Sequence, residues 1–431
     1  MRWKDWDRNL KIRLISEGIM NLLFWTFFPF MTIYFADSFG KEMSGVLLIV
    51  SQIISVFVGL TGGYCADRFG RKRMMFWSAA AQLVCFLLFA YANSPWLDSA
   101  LLTFISFSLL GLCEAMYWPA SHAMVADVVP EKHRSSVFAV FYTAINITVV
   151  VGPIIGGVFF FHYRFPLLIV CAVVSAVLAV VIKLWIAETA PQRKEMAPKT
   201  PEKQKWYRYL AAQLQDYRVI VNDKTFLVFV IAGILVAQTF MQLDLLMAVY
   251  STENVREQTV FAFGNWDWTV DGTKAFSWLV AENGFLVSIF TVAMSKWMSR
   301  YKERNVFVSS SLLYGLAILL FGLTVNIWGL IGIMAMFTAA ELMTVGIQES
   351  FVSKLAPEHM RGQYFAASSL RFTIGRSIAP ISIPMTVWFG YSWTFALLCL
   401  LAVCSAVLYY FMFNSLESKK TAAQQKTAVL R

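Results

Sequence analysis

The chain has 431 residues, 58% of them hydrophobic and only 14% charged, with a formal charge of +10. That balance excludes a soluble globular enzyme or a disordered chain, and bases spread over many short loops with no single basic face argue against a nucleic-acid partner. Spans of roughly 20 apolar residues cross a bilayer, and twelve are read at about 14–36, 43–66, 73–92, 99–123, 135–161, 165–187, 225–250, 277–298, 305–325, 327–353, 362–389 and 391–413. The pattern predicts an all-α membrane protein of twelve transmembrane helices in two six-helix halves, 1–188 and 225–431, joined by a basic, proline-bearing linker over 189–224. Most of the 36 Lys and Arg residues fall in the terminal arms and alternate loops, among them Lys4, Arg71, Arg134, Lys194, Lys205, Arg300 and Lys419. By the positive-inside rule both termini are expected in the cytoplasm, in a multi-pass protein of the cell membrane. The first apolar run is long and lacks a small-residue cleavage site, so it is expected to remain as the first helix.

In chain order, the first span carries Glu17 about one turn in, shallow enough for water, Lys11 or Arg13 to neutralise it, followed by Asn21 and the aromatics Trp25, Phe27, Phe28 and Phe30. Between the second and third spans stands Gly63-Tyr64-Cys65-Ala66-Asp67-Arg68-Phe69-Gly70-Arg71-Lys72-Arg73. The apolar runs on either side leave room only for a tight turn. This G-x-x-x-D-R-x-G-R-K string resembles the signature loop between helices 2 and 3 of the major facilitator superfamily. The resemblance implies that superfamily's twelve-helix fold, alternating access, and a gating role for Asp67, Arg68, Gly70 and Arg71 together with Asp127 and Arg134 at the next turn on the same side.

The fourth span holds Glu114, Tyr117 and Trp118, and the fifth holds Tyr142 and Val151-Gly152-Pro153-Ile154-Ile155-Gly156-Gly157. Gly152 and Pro153 begin a G-P-x-x-G-G element like that of antiporters in the superfamily, which implies a functional bend; an ordinary packing kink between small residues is the alternative. Pro130-Glu131-Lys132-His133-Arg134 and Phe138 return 227 residues later as Pro357-Glu358-His359-Met360-Arg361 and Phe365, matched at Pro, Glu, Arg and Phe. Parallel repeats are a mark of transporters, and carrying the offset back pairs Glu114 with Glu341.

The seventh span carries Gln238, Gln242 and Asp244, the tenth Glu341 and Gln348, and the eleventh Arg371 and Arg376. The aromatic-rich segment 251–277 is expected to rest on the outer membrane surface. A carboxylate near mid-membrane costs several kcal/mol if ionised and alone, so each such acid faces the bundle interior, pairs with a base or holds a proton. Asp244, Glu341, Glu114 and Glu17 are therefore candidates for proton coupling or substrate binding. In the facilitator fold helices 1, 4, 7 and 10 line the central cavity, so the resemblance would place all four near one aqueous pocket. The rival reading locks them permanently to the intramembrane counter-ions Arg371 and Arg376, which lie about 15 and 22 Å deep at 1.5 Å per residue from Arg361. Asn21, Tyr117, Trp118, Tyr142, Gln238, Gln242 and Gln348 are cavity candidates suited to flat or cationic ligands, or else simply helix packing.

Gln242-Leu243-Asp244 and Glu341 resemble elements of the superfamily's drug and proton antiporters, with one departure: those relatives carry an acid within helix 5, whereas residues 135–160 here hold none. The expected function is proton-coupled efflux of amphipathic or cationic compounds by alternating access, with protons, a small molecule and the lipid bilayer as partners. A proton-coupled importer of a small metabolite, a lipid flippase and a non-transporting membrane sensor are the alternatives. No phosphate-binding Gly-rich Lys-Ser/Thr loop and no nucleophile constellation is present, so neither an ATPase nor another enzyme is expected. The six cysteines lie in or beside apolar spans without paired spacing; no metal site and no cofactor are expected.

Overall fold

The computed structural model describes residues 6–160, 162–189, 211, 223–263, 266–356 and 361–429. The chain divides into two compact units, Met1–Ala212 and Gln213–Arg431.

In the first unit α1 (Arg8–Phe39) starts where the Asp7 carboxylate accepts from the Asn9 N–H and stops at Gly40, whose φ of 77° is open to glycine and strained for other residues. The next two helices, α2 (Lys41–Phe69) and α3 (Arg71–Tyr91), meet at Gly70, with φ at 100°. A two-residue hairpin, β1 (Asn93–Ser94) with β2 (Leu97–Asp98), leads to α4 (Ala100–Val128), capped by Ser99. Pro130 precedes α5 (Glu131–Phe159), and α6 (Arg164–Trp185) follows it. α3 packs on α4 and α6 around Met75, Ala79, Tyr117, Ala120, Met124 and Ile182, and α1 packs on α5.

The second unit opens with α7 (Lys224–Phe240), capped by the Asp223 carboxylate on the Thr225 and Phe226 N–H groups. One turn of 3-10 helix, Met241–Asp244, separates it from α8 (Leu246–Asn254). Then come the antiparallel hairpin β3 (Gln258–Phe263) and β4 (Trp266–Val270), α9 (Gly272–Met298), α10 (Glu303–Phe321), α11 (Ile327–Leu355) and α12 (Arg361–Ile378). A second 3-10 turn, Ala379–Ile381, contains Pro380, which lacks the amide an α-helix would use. It leads into α13 (Ser382–Val429), where Gly390 takes φ 78° and ψ 166° and breaks the helical path. Phe226, Phe229, Phe307, Phe351, Tyr409 and Phe413 form the core at one end of this unit.

Ten helices among the described residues are long and apolar enough to cross a membrane, and Thr143–Phe159 is a shorter apolar one. The twelve spans expected from hydropathy therefore meet ten long apolar helices, the last of them, Ala367–Ser418, being 52 residues and interrupted at Gly390. The seventh expected span, 225–250, falls within the apolar span Lys224–Asn254, which a 3-10 turn at Met241–Asp244 interrupts. The segment 251–277 ends α8, forms the β3–β4 hairpin and begins α9. Gln258 Nε2 donates to the Val325 carbonyl at 2.6 Å while its Oε1 accepts from the Ile327 N–H at 3.2 Å, tying the hairpin to the start of α11. Most of the expected linker, 190–210 and 212–222, lies outside the described residues, as do the side chains of Asp67, Arg134 and Tyr142.

Candidate functional site

In the second unit Glu341, midway along α11, opens on a cavity of about 200 Å³. Its Oε2 accepts at 3.0 Å from Nδ2 of Asn283 on α9, and the same amide donates at 3.0 Å to Thr338 Oγ1, one turn before Glu341. Arg371 of α12, Gln348, Thr344, Tyr314 and Tyr409 line the same cavity. Arg371 is itself buried: Nε donates to the Ser368 carbonyl at 2.9 Å, Nη2 to Ser368 Oγ at 2.7 Å, and its guanidinium carbon sits 4.4 Å from the Phe229 ring centroid. Its aliphatic stem lies where a Cβ on Gly233 of α7 would have to be, so that glycine makes room for the cation. Acid, amide, base and aromatic walls thus share one space with room for a small ion and its water, or for one end of a larger guest.

Asp244 is not in that lining. It ends the 3-10 turn after α7, half-buried, within Coulombic range of the exposed Arg376. Gln242, fully buried beside it, donates to the Gln238 and Ala379 carbonyls at 3.0 and 3.3 Å and accepts from Ser382 Oγ at 2.6 Å, pinning the broken part of α7 to the break between α12 and α13. Gln238 is buried and donates to Thr239 Oγ1.

In the first unit Glu17 is buried, 5% exposed, and of the neutralising partners expected, water, Lys11 or Arg13, it is Arg13 that pairs with it. Arg13 Nε and Nη2 donate to its two oxygens at 3.0 and 3.2 Å, Ser121 Oγ to Oε1 at 2.7 Å, and the Tyr117 hydroxyl to Oε1 at 3.0 Å. Arg13 also donates to Ser121 and lies over the Phe141 ring of α5 at 5.1 Å. This network joins α1 to α4 and α5, and no spacing rule in the sequence pairs residue 17 with residues 117 and 121. Trp118 makes edge contacts with Tyr117 and His122. Glu114 is half-buried in α4, and Asn21 donates to the Glu17 carbonyl one turn behind it.

At the α2–α3 turn the Glu188 carboxylate accepts from the Arg71 N–H at 2.8 Å and stands where a Gly70 side chain would go. It fills the N-terminal capping role that no local side chain serves. Arg71 Nε pairs with Asp127 Oδ2 at 3.3 Å, and Thr189 Oγ1 donates to the same oxygen at 3.1 Å. Arg68 is exposed, over the Phe69 ring. On α5, Cβ atoms at Gly152 and Gly156 would overlap Trp25 and the Thr26 carbonyl, so the small residues around Pro153 are where α5 meets α1.

A family model described as Major Facilitator Superfamily matches residues 14–266 and 272–430. A Na(+), Li(+), K(+)/H(+) antiporter of Planococcus maritimus is 53% identical over 423 residues, covering 98% of this chain and all of that protein. Multidrug resistance protein MdtH of Salmonella choleraesuis is 24% identical over 85% of this chain and 84% of its own length. Among solved structures, a POT family transporter in complex with 5-aminolevulinic acid aligns with a TM-score of 0.76 at 15% identity, over 94% of this chain and 96% of its own. The nucleoside transporter NupG aligns with a TM-score of 0.72, also at 15% identity, over 94% of this chain and all of its own.

Proposed function

The chain belongs to the major facilitator superfamily and is a secondary transporter, and we propose that it exchanges protons for the monovalent cations Na+, Li+ and K+. The observation that carries this reading is Glu341, an intramembrane carboxylate held by Asn283 and opening on a cavity it shares with Arg371. A carboxylate there can hold either a proton or a small cation, and sharing one group between the two makes their passage mutually exclusive. Arg371 supplies a fixed positive charge that favours release of a bound cation. End-to-end identity of 53% with a cation/proton antiporter supports the same chemistry.

In this reading twelve spans cross the membrane, with Ala367–Ser418 counting as two and α5 as one, in halves 1–188 and 225–431 joined by the 189–224 linker, both termini in the cytoplasm. Asp67, Arg68, Gly70, Arg71, Asp127 and Arg134 form the gate, Gly152 and Pro153 the bend, and Asp244 with Arg376 a second charged step. Efflux of amphipathic cations is the second reading. The aromatic walls Phe240, Tyr314, Phe372 and Tyr409 favour it, as does the distant likeness to MdtH.

The test uses inside-out vesicles in which a dye reports the pH gradient as NaCl, LiCl or KCl is added. Wild-type protein collapses the gradient on cation addition, and E341Q lowers that exchange at least tenfold, about 1.4 kcal/mol in barrier or binding. Wild-type-like exchange by E341Q overturns the assignment. Ethidium extrusion without any cation response favours the second reading.

A further inference from the structure

Glu282 of α9 is a further intramembrane acid, adjacent to Asn283, and its Oε2 is buried without a hydrogen-bond partner among the described residues. The helix stripe it belongs to runs through Trp278, Phe285, Ile289 and Val292, the last three being 54%, 53% and 66% exposed on this unit. One turn before Glu282, Trp278 is covered edge-on by Trp268 of the β3–β4 hairpin at 6.1 Å. A stripe facing lipid alone would not carry a carboxylate, since an ionised acid there costs several kcal/mol, whereas one facing an aqueous path keeps its charge. α9 and α11 begin at the same end of the unit, because the hairpin that runs into α9 is hydrogen-bonded to the start of α11. At 1.5 Å per residue Glu282 lies about 15 Å from that end and Glu341 about 21 Å, so the two acids stand about one turn apart in depth. Asn283, which holds Glu341, is the next residue on the helix that carries Glu282.

We propose that Glu282 is a second binding carboxylate for the transported monovalent cation, a station between Glu341 and the hairpin end of the unit. The inference rests on the antiport reading and extends it to a residue with a different environment. Glu341 is held by a protein amide, whereas the buried oxygen of Glu282 is left to a mobile ligand. A small cation with part of its water satisfies that oxygen, and weak multi-site binding of this kind lets an ion enter and leave.

Two measurements decide it. In vesicles, E282Q raises the half-saturating Na+ and Li+ concentrations roughly fivefold, about 1 kcal/mol, with maximal exchange retained to at least about half, and E282D recovers most of the affinity. Half-saturation unchanged by E282Q overturns the site, because a Glu282 that merely sits protonated is mimicked by glutamine. In purified E341Q protein, labelling of Glu282 by dicyclohexylcarbodiimide, followed by mass spectrometry of its peptide, is slowed by NaCl or LiCl and not by choline chloride at equal ionic strength. Equal labelling rates in the three salts overturn it independently of transport. If wild-type protein exchanges no monovalent cation, the antiport reading falls on that result alone, and the labelling comparison still decides whether Glu282 binds one.

Discussion

Asn283 does more for Glu341 than its neutral side chain suggests. One amide nitrogen donates to both Thr338 Oγ1 and Glu341 Oε2, so it fixes where the carboxylate points within the cavity. A hydrogen bond to a charged group contributes about 1.5–3 kcal/mol, and its loss leaves the acid free to turn toward Arg371. N283A is therefore expected to raise the half-saturating cation concentration by about tenfold while the protein folds and its maximal exchange rate changes little. A drop in maximal rate at unchanged half-saturation assigns Asn283 a different job. The intramembrane acids Glu17, Glu114, Asp244 and Glu341 stand out in the sequence because charge is conspicuous in apolar runs. Asn283 does not, since one uncharged amide among apolar residues carries no signal until its partner on another helix is known. Glu282 had the same conspicuous signal as the other acids and lies within the eighth apolar span, so reading every acid in every span finds it.

At the scale of helices, the contact between α1 and α5 depends on missing atoms. A Cβ on Gly156 would overlap the Thr26 carbonyl oxygen and the Phe30 ring, and backbone cannot step aside as a flexible side chain can. G156A is expected to lower stability by about 1–3 kcal/mol, read as a drop in the thermal midpoint of the detergent-solubilised protein. G332A, at a glycine with nothing within 4 Å, is the matched control and leaves the midpoint unchanged. The Gly152-Pro153 element was legible as a place of close packing, because small residues have few other uses in a membrane helix. The breaks at Met241–Asp244 and at Ala379–Ile381 were less so. Gln242 and Asp244 mark the first as polar residues without saying that the helix breaks there, and Pro380 marks the second. They become intelligible through Gln242, whose side chain links the two breaks by accepting from Ser382 and donating to Ala379. The β3–β4 hairpin escaped the apolar periodicity altogether, since its aromatic and polar residues fit a strand on a wet surface and an interfacial loop equally well.

Over the whole molecule, the intramembrane acids Glu17 and Glu341 of the two units are held in opposite ways. In the first unit Glu17 accepts from Arg13, Ser121 and Tyr117, a carboxylate saturated by protein donors that has little reason to exchange its partners. In the second, Glu341 has one amide partner and a cavity. A saturated buried pair is a structural tie whose rupture leaves Arg13 buried without its carboxylate, at a cost of about 3–5 kcal/mol. An acid facing a cavity can lose its charge with little damage to packing, yet lose its function entirely. E17Q is therefore expected to lower the thermal midpoint and the yield of folded protein while the surviving fraction keeps a wild-type half-saturation for Na+. E341Q is expected to do the reverse, keeping the midpoint and losing exchange. Vesicle exchange normalised to folded protein, beside thermal unfolding of the same preparations, separates the two. If E17Q abolishes exchange in fully folded protein, coupling is shared between the repeats, and the Arg13–Glu17 pair must break and reform during transport.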